Sequence, residues 1–195
     1  LSGLPDFPNL NALLLDGTDV ADLGPLIAAP ALTDLRLDHT PVSDLGPLPS
    51  ATPNLEVLEI RNTEVADLSA LEAMPAMRWL FAGENAITSL PTELSLQYAD
   101  LHSNAITDLT PVLGWVNGVE SPIYDLTNNA IDDLAPLAGL DGSWTGCFGL
   151  VVSENPLQAP GNAAVVTQVC EAGWAIELAG PPPLECNPGM CIPIP

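Results

Sequence analysis

Apolar residues in this chain return in a fixed register. "LNALLLDGTDVADLGPL" (10–26) aligns with "LTDLRLDHTPVSDLGPL" (32–48), "LEVLEIRNTEVADLSAL" (55–71) and "MRWLFAGENAITSLPTE" (77–93). A shortened copy, "LQYADLHSNAITDLTPV" (96–112), is followed by "SPIYDLTNNAIDDLAPL" (121–137) and "CFGLVVSENPL" (147–157), and the starts lie 22, 23, 22, 19, 25 and 26 residues apart. Alternation such as "LRL" (35–37) predicts a short strand with every second side chain inward. One strand per copy, stacked in sequence order, predicts a parallel sheet along one side of a solenoid whose coils bury each other's apolar faces.

Two polar columns run through the same register. Thr18, Thr40, Thr63, Asn85, Asn104, Asn129 and Asn155 predict a ladder of side chains hydrogen-bonded to the turning backbone between coils. Asp22, Asp44, Asp67, Ser89, Asp108 and Asp133 each precede a Leu, with Pro25, Pro47, Pro111 and Pro136 shortly after. That arrangement predicts an N-cap on a short helical turn opposite the sheet. A calcium ladder is the other reading of this acidic column, but the Ser at position 89 suits a cap better than a metal ligand.

The full consensus, LxxLxLxx(N/T)x(V/I)xxLxxL, resembles the leucine-rich repeat family, in its short 22-residue class of internalin-like and protein-phosphatase-regulator-like proteins. The resemblance runs from Leu1 to about Leu178. It implies an α/β leucine-rich repeat solenoid of bacterial, secreted type. A curved parallel β-sheet would line its concave side, and short helical turns and loops its convex side. Leu1 and Leu4 lie 22 residues before Leu23 and Leu26, which predicts a start in mid-coil with an uncapped apolar edge. That edge is a candidate assembly contact. At the other end, "GNAAVVTQVCEAG" (161–173) predicts a helix with Asn162 as N-cap, Val165, Val166, Val169 and Cys170 on one face, and Gly173 past its end. "WAIEL" (174–178) then alternates as a closing strand, and the pair resembles the C-terminal cap of bacterial leucine-rich repeat proteins. The expected organisation is a repeat array over 1–157, a cap over 158–180 and a Pro-rich tail over 181–195.

Four cysteines, Cys147, Cys170, Cys186 and Cys191, fall in the last quarter without a nearby His, which favours disulfides over a metal site. Three pairings are possible. Cys147 takes an inward repeat position and Cys170 the apolar helix face, which favours Cys147–Cys170 and leaves Cys186–Cys191 to close "CNPGMC". The first bridge would make a disulfide-linked C-terminal cap, adding about 3 kcal/mol. Disulfides persist in oxidising compartments, so the expected location is extracellular, cell-surface or periplasmic.

Charge narrows the partners. Among 195 residues there are 25 Asp and Glu against three Arg (Arg36, Arg61, Arg78) and no Lys, a net charge of -22. Such a chain repels nucleic-acid phosphate and anionic membranes and favours cationic partners. No apolar run approaches the roughly 18 residues of a membrane span. No catalytic set emerges either. Ser103, His102 and Asp100 are chain neighbours on one strand, with nothing to mark a nucleophile or an oxyanion hole. No phosphate loop, HExxH zinc motif or EF-hand loop occurs, so neither a cofactor nor a metal is expected.

Surface recognition remains. Within "RWLFAGENAIT" (78–88), Trp79 and Phe81 flank the inward Leu80 at positions the repeat gives to the concave face. Tyr98 shares the Trp79 column one coil on, close enough to stack. Arg36, Glu59, Arg61, Asp100, His102 and Asp125 fall on the same face. Aromatics and Arg surrounded by a polar rim are typical of interface centres. The expectation is therefore a non-enzymatic module that binds a protein or peptide through its concave sheet. A plainer reading competes: the apolar residues serve the sheet itself, and Arg36 and Arg61 relieve repulsion among Asp34, Asp38 and Glu59. A structural spacer in an extracellular assembly, and more weakly carbohydrate binding, are the other functional readings.

Overall fold

A computed structural model describes residues 1, 4, 7–116, 119–140 and 148–178. It contains eight strands of three residues, β1 Ala12–Leu14, β2 Asp34–Arg36, β3 Val57–Glu59, β4 Trp79–Phe81, β5 Tyr98–Asp100, β6 Ile123–Asp125, β7 Gly149–Val151 and β8 Ala175–Glu177, and the helices α1 Leu48–Ala51, α2 Val112–Trp115 and α3 Asn162–Glu171. They form one sheet in sequence order, and every neighbouring pair is parallel. This is the solenoid that the repeat predicts. Leu35, Leu58, Leu80, Ala99, Tyr124 and Leu150, the middle residue of six successive strands, are fully or almost fully buried. The large apolar residues exposed among the described ones are Phe7, Leu14 and Ile27, all in or beside the first coil.

Each strand from β1 to β7 is followed three residues later by a left-handed residue. Gly17, His39, Asn62, Glu84, Ser103, Asn128 and Glu154 have φ between 49° and 66°. From Gly17 to Asn128 their N–H groups extend the inter-coil ladder: Gly17 donates to the Asp38 carbonyl at 2.8 Å, and Glu84 to that of His102 at 2.8 Å. Just beyond, the Asn ladder takes the form the sequence predicts. Asn129 accepts from the Ile106 N–H at 3.0 Å and donates to the Leu101 and Leu126 carbonyls, each at 3.0 Å. Asn85, Asn104 and Asn155 bond their own and the preceding coil in the same way.

The convex side departs from expectation in detail. Asp22, Asp44, Asp67, Asp108 and Asp133 each accept the N–H two residues on, at 2.8 Å. They open the turns as Asx-turns, one or more residues ahead of the formal N-cap, which is Leu or Pro and makes no side-chain bond. Ser89 does not cap at all. The residue two positions on is Pro91, which has no N–H to offer. No helical turn forms in that coil, and the following helix packs into the space. In α2 (Val112–Trp115), buried Trp115 donates its indole N–H to the Pro91 carbonyl at 2.7 Å. Trp115 thus fills a local gap, as its irregular coil suggests; Trp144 lies outside the described residues.

From Trp115 an aromatic stack runs through the core. Trp115 meets Tyr124, Tyr124 meets Phe148 and Phe148 meets Trp174 at centroid separations of 5.5, 5.5 and 4.9 Å, all edge-on. Tyr124 makes up for the small Ala99 on the neighbouring strand and donates its hydroxyl to the Leu96 carbonyl at 2.9 Å. At the end of the array, α3 (Asn162–Glu171) buries Val165, Val166 and Val169 as predicted. Asn162 is not its cap: the N-cap is Gly161. Asn162 instead turns inward, accepting the Leu134 N–H and donating to the Asp132 carbonyl, both at 2.8 Å, because the buried Leu134 N–H would otherwise have no acceptor. The helix ends in a Schellman motif, with Gly173 at φ 86° and the N–H groups of Gly173 and Trp174 returning to the Cys170 and Val169 carbonyls. Strand β8 closes the sheet, as its alternation predicts. Cys170 is disulfide-bonded, while Cys147, Cys186, Cys191 and the tail over 181–195 lie outside the described residues.

Candidate interaction surface

Strand alternation turns the first and third residue of each strand away from the core. In β2, β3, β4, β6 and β7 both are half-buried around a buried centre. The nine residues singled out in the sequence therefore share one face, in register: Arg36 opposite Glu59, Trp79 opposite Tyr98, Phe81 opposite Asp100, and Asp100 opposite Asp125.

The side chains organise themselves around Arg61 and Asp100. Arg61 Nε donates to Asp100 Oδ2 at 3.0 Å, and its Nη1 lies 3.0 Å from both Asp38 Oδ2 and Glu59 Oε2. The guanidinium sits 4.4 Å from the centre of the Phe81 ring, a cation–π contact. Burial alone would disfavour the Arg61 charge. The Asp100 and Asp38 hydrogen bonds and charges outweigh it, so its pKa is raised. Arg36 is likewise engaged, with Nε 3.3 Å from both Asp34 and Glu59. The plainer sequence reading is correct for these two cations: both are neutralised within the fold.

Asp100 is not part of a rim. It is 7% exposed and lies beneath the face, shared by Arg61 and by His102, whose Nδ1 is 2.5 Å from Oδ1. On the other side His102 Nε2 approaches Glu84 at 3.6 Å. Desolvation works against the imidazolium, but the Asp100 hydrogen bond and charge, helped by Glu84, leave the His102 pKa raised. Gly83 makes this placement possible, since a Cβ there would overlap the His102 ring. The sequence register places Gly83 on this face but gives no hint of that role.

The expected Trp79–Tyr98 stack does not form. They are register partners, yet Tyr98 turns diagonally to Phe81, with centroids 5.1 Å apart and planes at 41°. Arg61, Phe81 and Tyr98 thus make one continuous stack, and Trp79 stands beside it. Beyond Tyr98 the same row continues with Ile123, Gly149 and Ala175. Asp125 accepts only the Thr127 N–H, at 2.9 Å, and no cation pairs with it among the described residues. Within those residues no group of three or more His, Cys, Asp or Glu is placed to hold a metal ion. No helix among them is long and apolar enough to cross a membrane.

No protein-family model matches the sequence, and no curated protein matches it. Solved structures do resemble it. An internalin (inlF) from Listeria monocytogenes superposes with a TM-score of 0.67 at 22% identity over 86% of this chain, and this chain spans 48% of that one, about half its length. An internalin C2 (inlC2) from the same organism gives a TM-score of 0.56 at 25% identity, covering 76% of this chain and 74% of the other. Repeat register, parallel sheet and these likenesses together show that the chain adopts a leucine-rich repeat solenoid, the fold seen in the two internalins.

Proposed function

We propose that this chain is a non-enzymatic interaction module whose repeat array, 1–157, binds a cationic protein or peptide through the concave sheet. The observation that carries this reading is the mismatch of charge on that face. Its two Arg are already committed to carboxylates, while Asp125 makes no ion pair among the described residues and lies on the strand next to the half-buried Tyr98, with Trp79 one strand further on. In this reading Trp79, Tyr98 and Asp125 meet the partner. Arg36, Glu59, Arg61, Phe81, Asp100 and His102 hold the face rigid beneath them, which lowers the entropy lost on binding.

The test is recovery of a partner from the native source with the wild-type chain as bait, followed by affinity measurement with variants. Trp79→Ala and Tyr98→Ala should each weaken binding about tenfold or more, as interface anchors do. Glu64→Gln, an exposed position off the strands, should leave it unchanged. Unaltered affinity in both aromatic variants would remove the concave face from the function.

An assembly contact through the first coil is a second reading, supported by the exposure of Phe7, Leu14 and Ile27. Analytical ultracentrifugation of wild type against Ile27→Ser, which lies off the sheet, separates the two: only this second reading loses its complex. We place the protein in an extracellular, cell-surface or periplasmic setting, with Cys147–Cys170 and Cys186–Cys191 paired. Non-reducing peptide mapping reads that connectivity directly.

A further inference from the structure

The concave face is divided lengthwise. One row, the first residue of each strand, is apolar from β3 to β8: Val57, Trp79, Tyr98, Ile123, Gly149 and Ala175. Side chains in it shrink from Trp79 toward Gly149 and Ala175, so the row slopes from a tall aromatic wall to an open floor beside Ile123. The parallel row, two residues along each strand, runs Glu59, Phe81, Asp100, Asp125, Val151 and Glu177, with four carboxylates among its six positions. Its carboxylates are satisfied by Arg61 near β3 to β5. In β6 and β8, Asp125 and Glu177 have no cationic partner among the described residues.

We infer that the occupant of this surface is an amphipathic basic α-helix lying across strands β4 to β8. Its apolar stripe faces the Trp79–Ala175 row, and its Lys or Arg side chains face Asp125 and Glu177. This rests on the concave-face reading above and names the form of the partner. Neighbouring strands are about 4.8 Å apart, so anything crossing them meets a repeat near that length. A helix offers side chains every turn, about 5.4 Å. An extended segment offers same-face side chains about 6.8 Å apart and falls out of step after two strands. The four intervals from β4 to β8 span about 19 Å, which is about 13 helical residues. The two rows lie about 6.6 Å apart along the strands, within the width of one helix, so a single helix covers both.

The probe is a synthetic Leu/Lys peptide of about 14 residues patterned with helical periodicity. Its controls are an isomer with strict apolar–basic alternation and one with a central Pro. Binding is read by calorimetry at near-physiological salt, with circular dichroism reporting helix gained on binding. The helical peptide should bind and gain helix, at least tenfold tighter than either control. Trp79→Ala, Asp125→Asn and Glu177→Gln should each weaken it, and Glu64→Gln should change affinity less than twofold; the urea midpoints of the variants establish that they fold. Equal binding of the alternating or Pro peptide overturns the inference, as does equal weakening by Glu64→Gln, which marks plain charge attraction. If no peptide binds while the native partner still depends on Trp79, the helical form is wrong and the concave-face reading survives. Loss of both dependences sinks the two together.

Discussion

Arg61 is the residue on which the concave face turns. It meets three carboxylates and an aromatic ring, and one of those carboxylates, Asp100, has almost no access to water. Removing it strands a buried charge, which costs more than the pair contributed. Arg61→Ala should therefore lose about 3 kcal/mol in urea unfolding, and Arg61→Lys should recover only part, since an ammonium cannot match the guanidinium fork. His102 makes stability depend on pH. Its folded pKa is raised above the ordinary value of about 6.5, so the fold binds its proton more tightly than the unfolded chain. The resulting stabilisation is complete below about pH 6.5 and is lost as pH rises through the raised value. Comparing wild type with His102→Gln across that range should show the difference between them shrinking toward alkaline pH. A constant gap would mean that His102 acts only by packing.

Elements hold each other through close approaches that substitutions can probe. Where Pro91 prevents a helical turn, α2 comes so near the preceding coil that a Cβ on Gly114 would lie 2.8 Å from the Thr92 carbonyl oxygen. Gly114→Ala gains helix propensity of roughly 1 kcal/mol, yet overpacking against backbone costs about 1–3 kcal/mol. The expected net result is destabilisation in chemical denaturation, against the propensity scale. The Asn ladder gives a second measurement. Asn129→Ala leaves the buried Ile106 N–H without its acceptor, while the Leu101 and Leu126 carbonyls keep the Asn104 and Asn155 amides. A loss of about 1–3 kcal/mol follows, the cost of one unsatisfied buried group. Asn155→Ala should cost less, since Asn155 is only half-buried.

Across the entire chain, the net charge of -22 acts on every coil at once. Self-repulsion opposes the compact state, and salt screens it over a Debye length of about 8 Å at physiological ionic strength. Because the Arg61 ion pairs are partly buried, they are screened less than the exposed acids on the convex side. The melting temperature should rise with added NaCl up to a few tenths molar, and a fall would place the balance of charge energy in the ion pairs. The same field steers cationic partners toward the molecule, so the association rate with such a partner should drop steeply with salt.

The repeat itself was legible at once. Leu at fixed offsets leaves only one way to bury every apolar face, so strands, sheet order, polar ladder and the shared face of Trp79, Phe81 and Tyr98 all followed from spacing. Other features depended on neighbours distant in sequence. The left-handed column did not show in the spacing: at Glu84 an inter-coil hydrogen bond to the His102 carbonyl holds a conformation that residue would not choose alone. Asn162 reads as a cap in the sequence, yet the buried Leu134 N–H of the previous coil had first claim on its side chain. Tyr98 leans toward Phe81 rather than Trp79, and Asp100 sinks under Arg61 and His102, because side-chain direction is settled by packing and charge after the register is set. Periodicity is a property of the chain and dictates which residues share a face. Which of them pair with each other, and which are left for a partner, is a property of the stacked coils.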